Sequence, residues 1–340
     1  MHVCVCSGVV SVVCRWVVMH SHELAVGEAK PVEFMGHSLV VYRGDNGVAS
    51  VLDAYCPHLG AHLGVESKVV GDSLECPFHG WRFNAEGKCT LIPGQQMIPE
   101  SAQLRRWHVQ DVNDKILVWH HADKKDPDWF VEDFLKDFQF HGKTEHTVAV
   151  HCQEIAENGP DVSHLNFLHK SWLGSRIKTW VHHIWDATWT PGTEENGGKH
   201  LAHITVTQGM GSFGKPIPFT QNTVNILQVG PGLVHLDFPL ILGLHVRIME
   251  NVTPIAPMMQ RVRHSIYASK WTPRIFAKIF LKLMVSIFEQ DVAIWNNKTY
   301  QAKPMYAKPD KAIPVYRRWY QQFYSESSPK AAQLLNPLEW

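Results

Sequence analysis

Short alternating runs of apolar and polar residues open the interpretable part of the chain: VEF, HSLVVYR and VASVLD between Ala25 and Leu52, broken at Gly36 and at Gly44-Asp45-Asn46-Gly47. Alternation with period two predicts half-buried strands, and the Gly/Asp/Asn clusters predict the turns between them. Further strands follow from Lys88 to Trp119, ending in Lys115-Ile-Leu-Val-Trp119. Residues 122–143 turn charged and aromatic around Pro127, which predicts a connector. Strands resume at Thr144, and from Ile177 to Lys270 the runs VHHIWDATW, HLAHITVTQ, TVNILQVG, LVHLDFPL, LHVRIMENV and RHSIYAS alternate between Gly/Pro-rich loops. That pattern predicts an antiparallel sheet with one face buried round a cavity. Apolar residues at 276, 279, 280, 283, 284, 287 and 288 predict a long helix over Pro273 to Lys298. The fold class is therefore α+β: an apolar N-terminal segment (1–19), an all-β domain (20–121), the connector, an α+β domain (144–325) with a long C-terminal helix, and a tail (326–340).

Chemistry enters at Cys56 to Phe83, which holds two mixed pairs, Cys56-Pro57-His58 and Cys76-Pro77-Phe78-His79. The intervening residues suffice for a strand, a turn and a returning strand, so the pairs sit on two facing loops. Two thiolates and two imidazoles held this way fit a Rieske [2Fe–2S] centre, with both Cys on one iron and both His on the other. A structural zinc ion also accepts Cys2His2, but its sites usually show C-x2-C pairs. Imidazole in place of thiolate raises a cluster's reduction potential, which suits an electron relay.

Composition adds limits. The 340 residues allow two domains, and 32 Lys plus Arg balance 32 Asp plus Glu, so no global field points to nucleic acid. Seven cysteines without paired spacing beyond the two ligands argue for a reducing, intracellular compartment. The first nineteen residues are apolar, but Arg15 interrupts them and a spanning helix needs about 20 residues; the segment reads as well as a strand. No transmembrane helix or signal peptide is assigned.

A second ligand pattern lies in EIAENGPDVSHLNFLH, where Asp161, His164 and His169 are spaced three and five apart. Two His and one carboxylate with open positions make the facial triad of non-haem Fe(II) oxygenases. On a helix His164 and His169 would lie roughly 140° apart, so the helix must end, kink or bulge near Phe167 for both to reach one metal. Asp291 sits on the apolar stripe of the long helix, where a buried carboxylate needs a compensating cation. A salt bridge is the plainer use of Asp291, and Glu289 and Asp237 compete as third ligand.

Taken together, the chain resembles a Rieske oxygenase α-subunit. Arg15-Trp16, Ser21-His22-Glu23-Leu24, the Glu157-Asn158 to His169 run, Asp291-x3-Trp295-Asn296-Asn297-Lys298 and Arg317-Arg318-Trp319-Tyr320-x2-Phe323-Tyr324-Ser325 are similar to the cholesterol 7-desaturases of the Neverland family. The resemblance implies Cys56, His58, Cys76 and His79 as cluster ligands and His164, His169 and Asp291 as iron ligands. It implies Asp161 as the carboxylate that bridges to a cluster histidine of a neighbouring subunit in a head-to-tail homotrimer. The implied activity is O2-dependent 7,8-desaturation of cholesterol to 7-dehydrocholesterol in steroid hormone biosynthesis. Its cofactors would be a [2Fe–2S] cluster and mononuclear Fe(II), with electrons coming indirectly from NAD(P)H through a ferredoxin or flavoprotein reductase. Membrane association is a further expectation carried by the family.

Rival readings are a Rieske steroid ring hydroxylase or an oxygenase of another apolar substrate, a Rieske electron carrier, and a sterol-binding module without catalysis. An electron carrier needs only about the first 120 residues, so the second ligand set argues for an enzyme. Arg105, Arg106, His62, Cys89, His182, His183 and His203 remain without a role.

Overall fold

The computed structural model describes residues 12–169, 181–213, 215–240, 243–256 and 258–328. It divides into two compact units, Arg15–Asp133 and, with a short N-terminal piece, Phe134 onward.

Among the described residues of the first unit, ten strands build three small sheets. Ala29–Phe34 (β2), His37–Arg43 (β3) and Ala49–Asp53 (β4) form a meander, as their alternation predicts. Lys68–Val70 (β5), Ser73–Glu75 (β6), Arg82–Phe83 (β7) and Cys89–Leu91 (β8) form the second sheet. Cys14–His20 (β1) pairs with Lys115–His120 (β10), which pairs with Val109–Val112 (β9). The apolar N-terminal segment thus enters a buried strand in its second half, because β-branched residues fill a covered sheet position well. Its first eleven residues lie outside those described. Among the described residues no helix is long and apolar enough to cross a membrane.

In the second unit Phe138–Val148 (β11), Val181–Pro191 (β12), Leu201–Ser212 (β13), Lys215–Pro216 (β14), Asn222–Val229 (β15), Leu233–Pro239 (β16), His245–Ala256 (β17) and Met259–Ser269 (β18) form one antiparallel sheet. Its order is β11-β18-β17-β16-β15-β13-β12, with β14 on β13. β11 begins within the stretch expected as connector, since the aromatic residues Phe138 and Phe140 pair with Ser269 and Tyr267 of β18. Four α-helices complete the described part of the unit: Cys152–Ala156 (α1), Val162–Phe167 (α2), Arg274–Trp295 (α3) and Ala312–Tyr320 (α4). α3 starts after Pro273, which lacks the N–H a helix interior requires. It buries Ala277, Leu281, Phe288 and Trp295, a face turned from the stripe seen in the sequence, whose Ile279 is exposed.

Candidate functional site

The two Cys/His loops of the first unit are built alike. The Cys56 N–H donates to the Ala61 carbonyl and the Gly60 N–H to the Cys56 carbonyl, each at 2.9 Å. One loop on, the Cys76 N–H donates to the Trp81 carbonyl at 2.7 Å and the Gly80 N–H to the Cys76 carbonyl at 3.0 Å. Gly60 and Gly80 close these turns at φ 73° and 71°, the left-handed region that side chains disfavour. The repeated turn points both thiols inward and both imidazoles outward. Cys56 and Cys76 belong to the apolar core with Val40, Leu52, Leu63, Leu74 and Phe83, while His58 and His79 are exposed with ring centroids 4.6 Å apart.

Burial pushes the Cys56 thiol up to about 11, and the neighbouring Cys76 adds to the rise. Such a sulfur becomes thiolate at neutral pH only when a metal replaces its proton, so the buried pair fits the iron of a cluster. Trp81 stacks on His58 at 4.6 Å with the planes 6° apart. Sequence spacing missed that contact, although Trp81 lies two residues after His79. Among the described residues, the group with three donor atoms within 4.8 Å of one another is His164, His169 and Asp291. The four Cys/His donors do not converge on one point as a zinc ion would require.

That group of three is assembled by α2 and α3. Asp161 is the N-cap of α2: its carboxylate accepts the His164 N–H at 3.2 Å, and its carbonyl meets His164 Nδ1. Fixing Nδ1 leaves Nε2 of His164 as the available donor atom. α2 ends at Phe167, the break that the spacing requires, and His169 then swings back so that its Nε2 lies 3.2 Å from Asp291 Oδ2. The indole N–H of Trp185 on β12 donates to the His169 carbonyl at 3.2 Å. Burial alone would lower the His164 pKa, but the Asp161 hydrogen bond and the Asp291 and Asp161 charges outweigh it and hold it raised. Asp291 is 8% exposed and faces histidines, so a cation between them would compensate its charge. A buried carboxylate meeting two imidazoles is the donor chemistry of a non-haem iron.

The competing carboxylates lie elsewhere. Asp237 accepts from His245 at 2.8 Å and Arg247 at 2.7 Å, and Glu289 is exposed beside His146. Nor do the other tempting residues join: the His62 ring accepts the Gly64 N–H, Arg105 covers Trp107, Arg106 pairs with Glu86, and His203 faces the Asn196 carbonyl. Cys89 points its thiol at the Leu91 carbonyl, and His182 lies on β12. His183 is buried against Trp185 and pushed down to about 4, by burial first and then by His169 and His182.

The C-terminal motif has a mechanical role. Arg317 grips Glu157 with two bonds of 2.7 and 3.1 Å, Lys298 reaches Glu154 at 2.9 Å, and Tyr316 and Tyr324 hydroxyls donate to Gln153. α4 and the end of α3 thereby pin the segment that leads into Asp161 and His164.

His164, His169 and Asp291 open into a concavity. Register sets its wall. Ile204, Ile226, Leu236 and Ile248 are successive cross-strand partners on β13, β15, β16 and β17, and all line it. The predicted cavity exists because alternation on adjacent strands turns every second residue to the same face.

Comparison with known proteins accords with this geometry. Residues 14–105 match the Rieske [2Fe-2S] domain, and 118–324 match the 3-ketosteroid 9alpha-hydroxylase C-terminal domain. A cholesterol 7-desaturase of Xenopus laevis is 42% identical over 95% of this chain and 74% of its own length. One from Hemicentrotus pulcherrimus is 40% identical, over 94% and 71%. The chain belongs to the cholesterol 7-desaturase family of Rieske oxygenases. A probable 3-ketosteroid-9-alpha-monooxygenase oxygenase component of Rhodococcus rhodochrous is more distant, 26% identical over 94% of this chain and 81% of that protein. The fold is shared with Pseudomonas putida NdmA bound to caffeine, at TM-score 0.66 and 16% identity over 90% and 89% of the two chains. Dicamba monooxygenase bound to dicamba gives 0.65 and 15% over 91% and 96%. Like its family, the protein is an oxidoreductase that carries a Rieske [2Fe–2S] cluster and a mononuclear iron, and it draws electrons indirectly from NAD(P)H through a redox partner.

Proposed function

We propose that the protein introduces the 7,8 double bond of cholesterol, yielding 7-dehydrocholesterol, with Cys56, His58, Cys76 and His79 holding the cluster and His164, His169 and Asp291 holding the iron. The observation that carries this reading is that the three clustered donors open directly into an apolar cavity walled by Ile204, Ile226, Leu236 and Ile248. When bound, the two metal centres supply electron transfer and oxygen activation, chemistry that no side chain provides. The protein's own part is to place one C–H bond of a large hydrocarbon and to keep water away from it. Exposed His58 and His79 suit docking of the electron donor, while the buried thiols insulate the inner side of the cluster.

Asp161 anchors His164 within its own chain, and its side chain is 32% exposed, which suits a further contact with a histidine of a second copy in a homotrimer. The substrate's apolarity favours uptake from a membrane surface. A steroid hydroxylase is the second reading, favoured by the family model that covers 118–324.

The deciding experiment is product mass after incubating iron-replete protein with cholesterol, oxygen, NAD(P)H and a ferredoxin/reductase pair. Loss of two hydrogens is expected, and gain of one oxygen instead would move the protein to the hydroxylases. For the ligand set, His164→Ala should lose mononuclear iron and turnover but keep the reduced-cluster signal in electron paramagnetic resonance. Retained turnover would remove the iron assignment.

A further inference from the structure

One row of the cavity wall breaks its apolar pattern. Gln228, Val234, Glu250 and His264 are successive cross-strand partners on β15, β16, β17 and β18, and all four line the cavity. In the runs TVNILQVG and LHVRIMENV the inward phase is otherwise Val and Ile, so Gln228 and Glu250 are polar residues where hydrocarbon is the rule. Asn158 and Gln208, the other polar side chains on the wall away from the metal group, are half-buried, as is Glu250, whereas Gln228 is fully buried.

Gln228 is 1% exposed. Its Oε1 accepts the Trp189 indole N–H at 3.4 Å, and because an indole can only donate, the amide orientation is fixed. The NH2 group therefore faces away from Trp189, buried and without a partner. Glu250 takes the His264 Nε2–H on Oε2 at 3.0 Å, and its other oxygen remains an acceptor. A buried donor and a carboxylate acceptor on one row of one wall are the complement of a single hydroxyl, which both accepts and donates.

The location adds a constraint. The His264 ring packs on Phe288 at 4.4 Å, and Phe288 lies three residues before Asp291, one turn along α3. At the other end of the cavity Phe238 meets Phe280, eleven residues before Asp291, or about 16 Å at helical rise. Along α3, the His264 end of the polar row is thus nearer Asp291 than the Phe238 end of the hydrocarbon wall is. In a 3-hydroxysterol, ring A bears the hydroxyl and is fused to ring B, where C7 reacts. An anchor that presents C7 to the metal must stand near the metal, leaving the alkyl tail to the far end.

Resting on the sterol-desaturase reading, we propose that Gln228 and Glu250 form a hydroxyl-binding subsite that holds the 3-hydroxyl of the sterol, with His264 orienting Glu250. The Gln228 amide donates to the hydroxyl oxygen and the hydroxyl donates to the Glu250 carboxylate. A 3-ketone keeps only the first bond and faces the carboxylate with a second acceptor. The subsite selects 3-alcohols over 3-ketones and over sterols lacking oxygen at C3.

The test is equilibrium binding of cholesterol, cholest-5-ene and cholest-5-en-3-one to the full-length, metal-replete protein, followed by kcat/KM with a redox partner. Cholest-5-ene and the ketone should each bind about 10- to 100-fold more weakly than cholesterol. Gln228→Leu should weaken cholesterol about tenfold and leave cholest-5-ene unchanged, whereas Glu250→Gln, whose amide can donate, should narrow the gap between ketone and alcohol. Equal affinity of the wild type for cholesterol and cholest-5-ene overturns the subsite without needing any variant, as does a Gln228→Leu protein that loses both sterols equally. If cholesterol is desaturated but its C3 substituent does not matter, the subsite alone fails. If none of the three sterols binds, the desaturase reading fails with it.

Discussion

Removing the Arg317 side chain should loosen the segment that presents the iron-binding histidine. Arg317 and Glu157 are 16% and 12% exposed, and they join through bonds of 2.7 and 3.1 Å. Arg317 also donates to the Gln301 carbonyl at 2.8 Å and lies 5.4 Å from the Tyr300 ring centre. Breaking a buried pair from one side costs about 3–5 kcal/mol, because the remaining charge loses its partner. Water reaches this pair at its rim, so the lower end applies, and Arg317→Ala should cost about 3 kcal/mol. Lysine restores the charge without the two-pronged geometry, so Arg317→Lys should cost about 1–2 kcal/mol. Hydrogen exchange read by mass spectrometry is the direct assay, since it reports local opening of α1 and α2. Amides of 152–167 should exchange about 100-fold faster in Arg317→Ala. Iron content should fall at limiting Fe(II) while the cluster signal persists. Removing both partners, as in Glu157→Gln with Arg317→Met, should be milder than Arg317→Ala alone. A loss below about 0.5 kcal/mol, or a double variant worse than the single, would refute the clamp.

Two further perturbations probe the framework. His151 is fully buried, caps α1 by accepting the Gln153 N–H, and burial pushes it down to about 4. Below pH 6.5 the unfolded chain takes up a proton that the native imidazole refuses, so stability present above 6.5 is lost as pH falls towards 4, by up to about 3 kcal/mol. His151→Asn keeps a capping oxygen and should remove that part of the slope in denaturant unfolding; parallel wild-type and variant profiles would contradict it. In the cluster loops, Gly60→Ala meets no neighbour and should cost about 1–2 kcal/mol for its left-handed backbone alone. Gly80→Ala should cost more, because its new Cβ would also lie 3.2 Å from Pro93 Cγ. Cluster lifetime in air should follow the same order, and a longer-lived Gly80→Ala cluster would exclude this account of the turn.

Legibility followed chemistry that is local in sequence. Cys56-x-His58 and Cys76-x2-His79 carry their turns with them, so the two mixed pairs and their facing loops could be read together. The break after Phe167 followed from helical angles alone, and α3 from its apolar stripe. The third member of the metal group was different. Asp237, Glu289 and Asp291 all stood as carboxylates of suitable type; the family resemblance pointed to Asp291, and packing sets it beside His169, with Asp237 held by Arg247 and Glu289 in solvent.

By itself the sequence determined the Cys/His pairs, the strand and helix periods, the spacing of His164 and His169, and the family resemblance, because each depends on residues within a few positions of one another. The tertiary structure set Asp291, to which the resemblance already pointed, beside His169, and it alone showed what Arg317 and Lys298 hold and that Gln228 and Glu250 share a row. Those facts depend on register between strands and on contacts over more than a hundred residues, as between Glu157 and Arg317. A linear pattern gives each residue its face but not its partner across the fold.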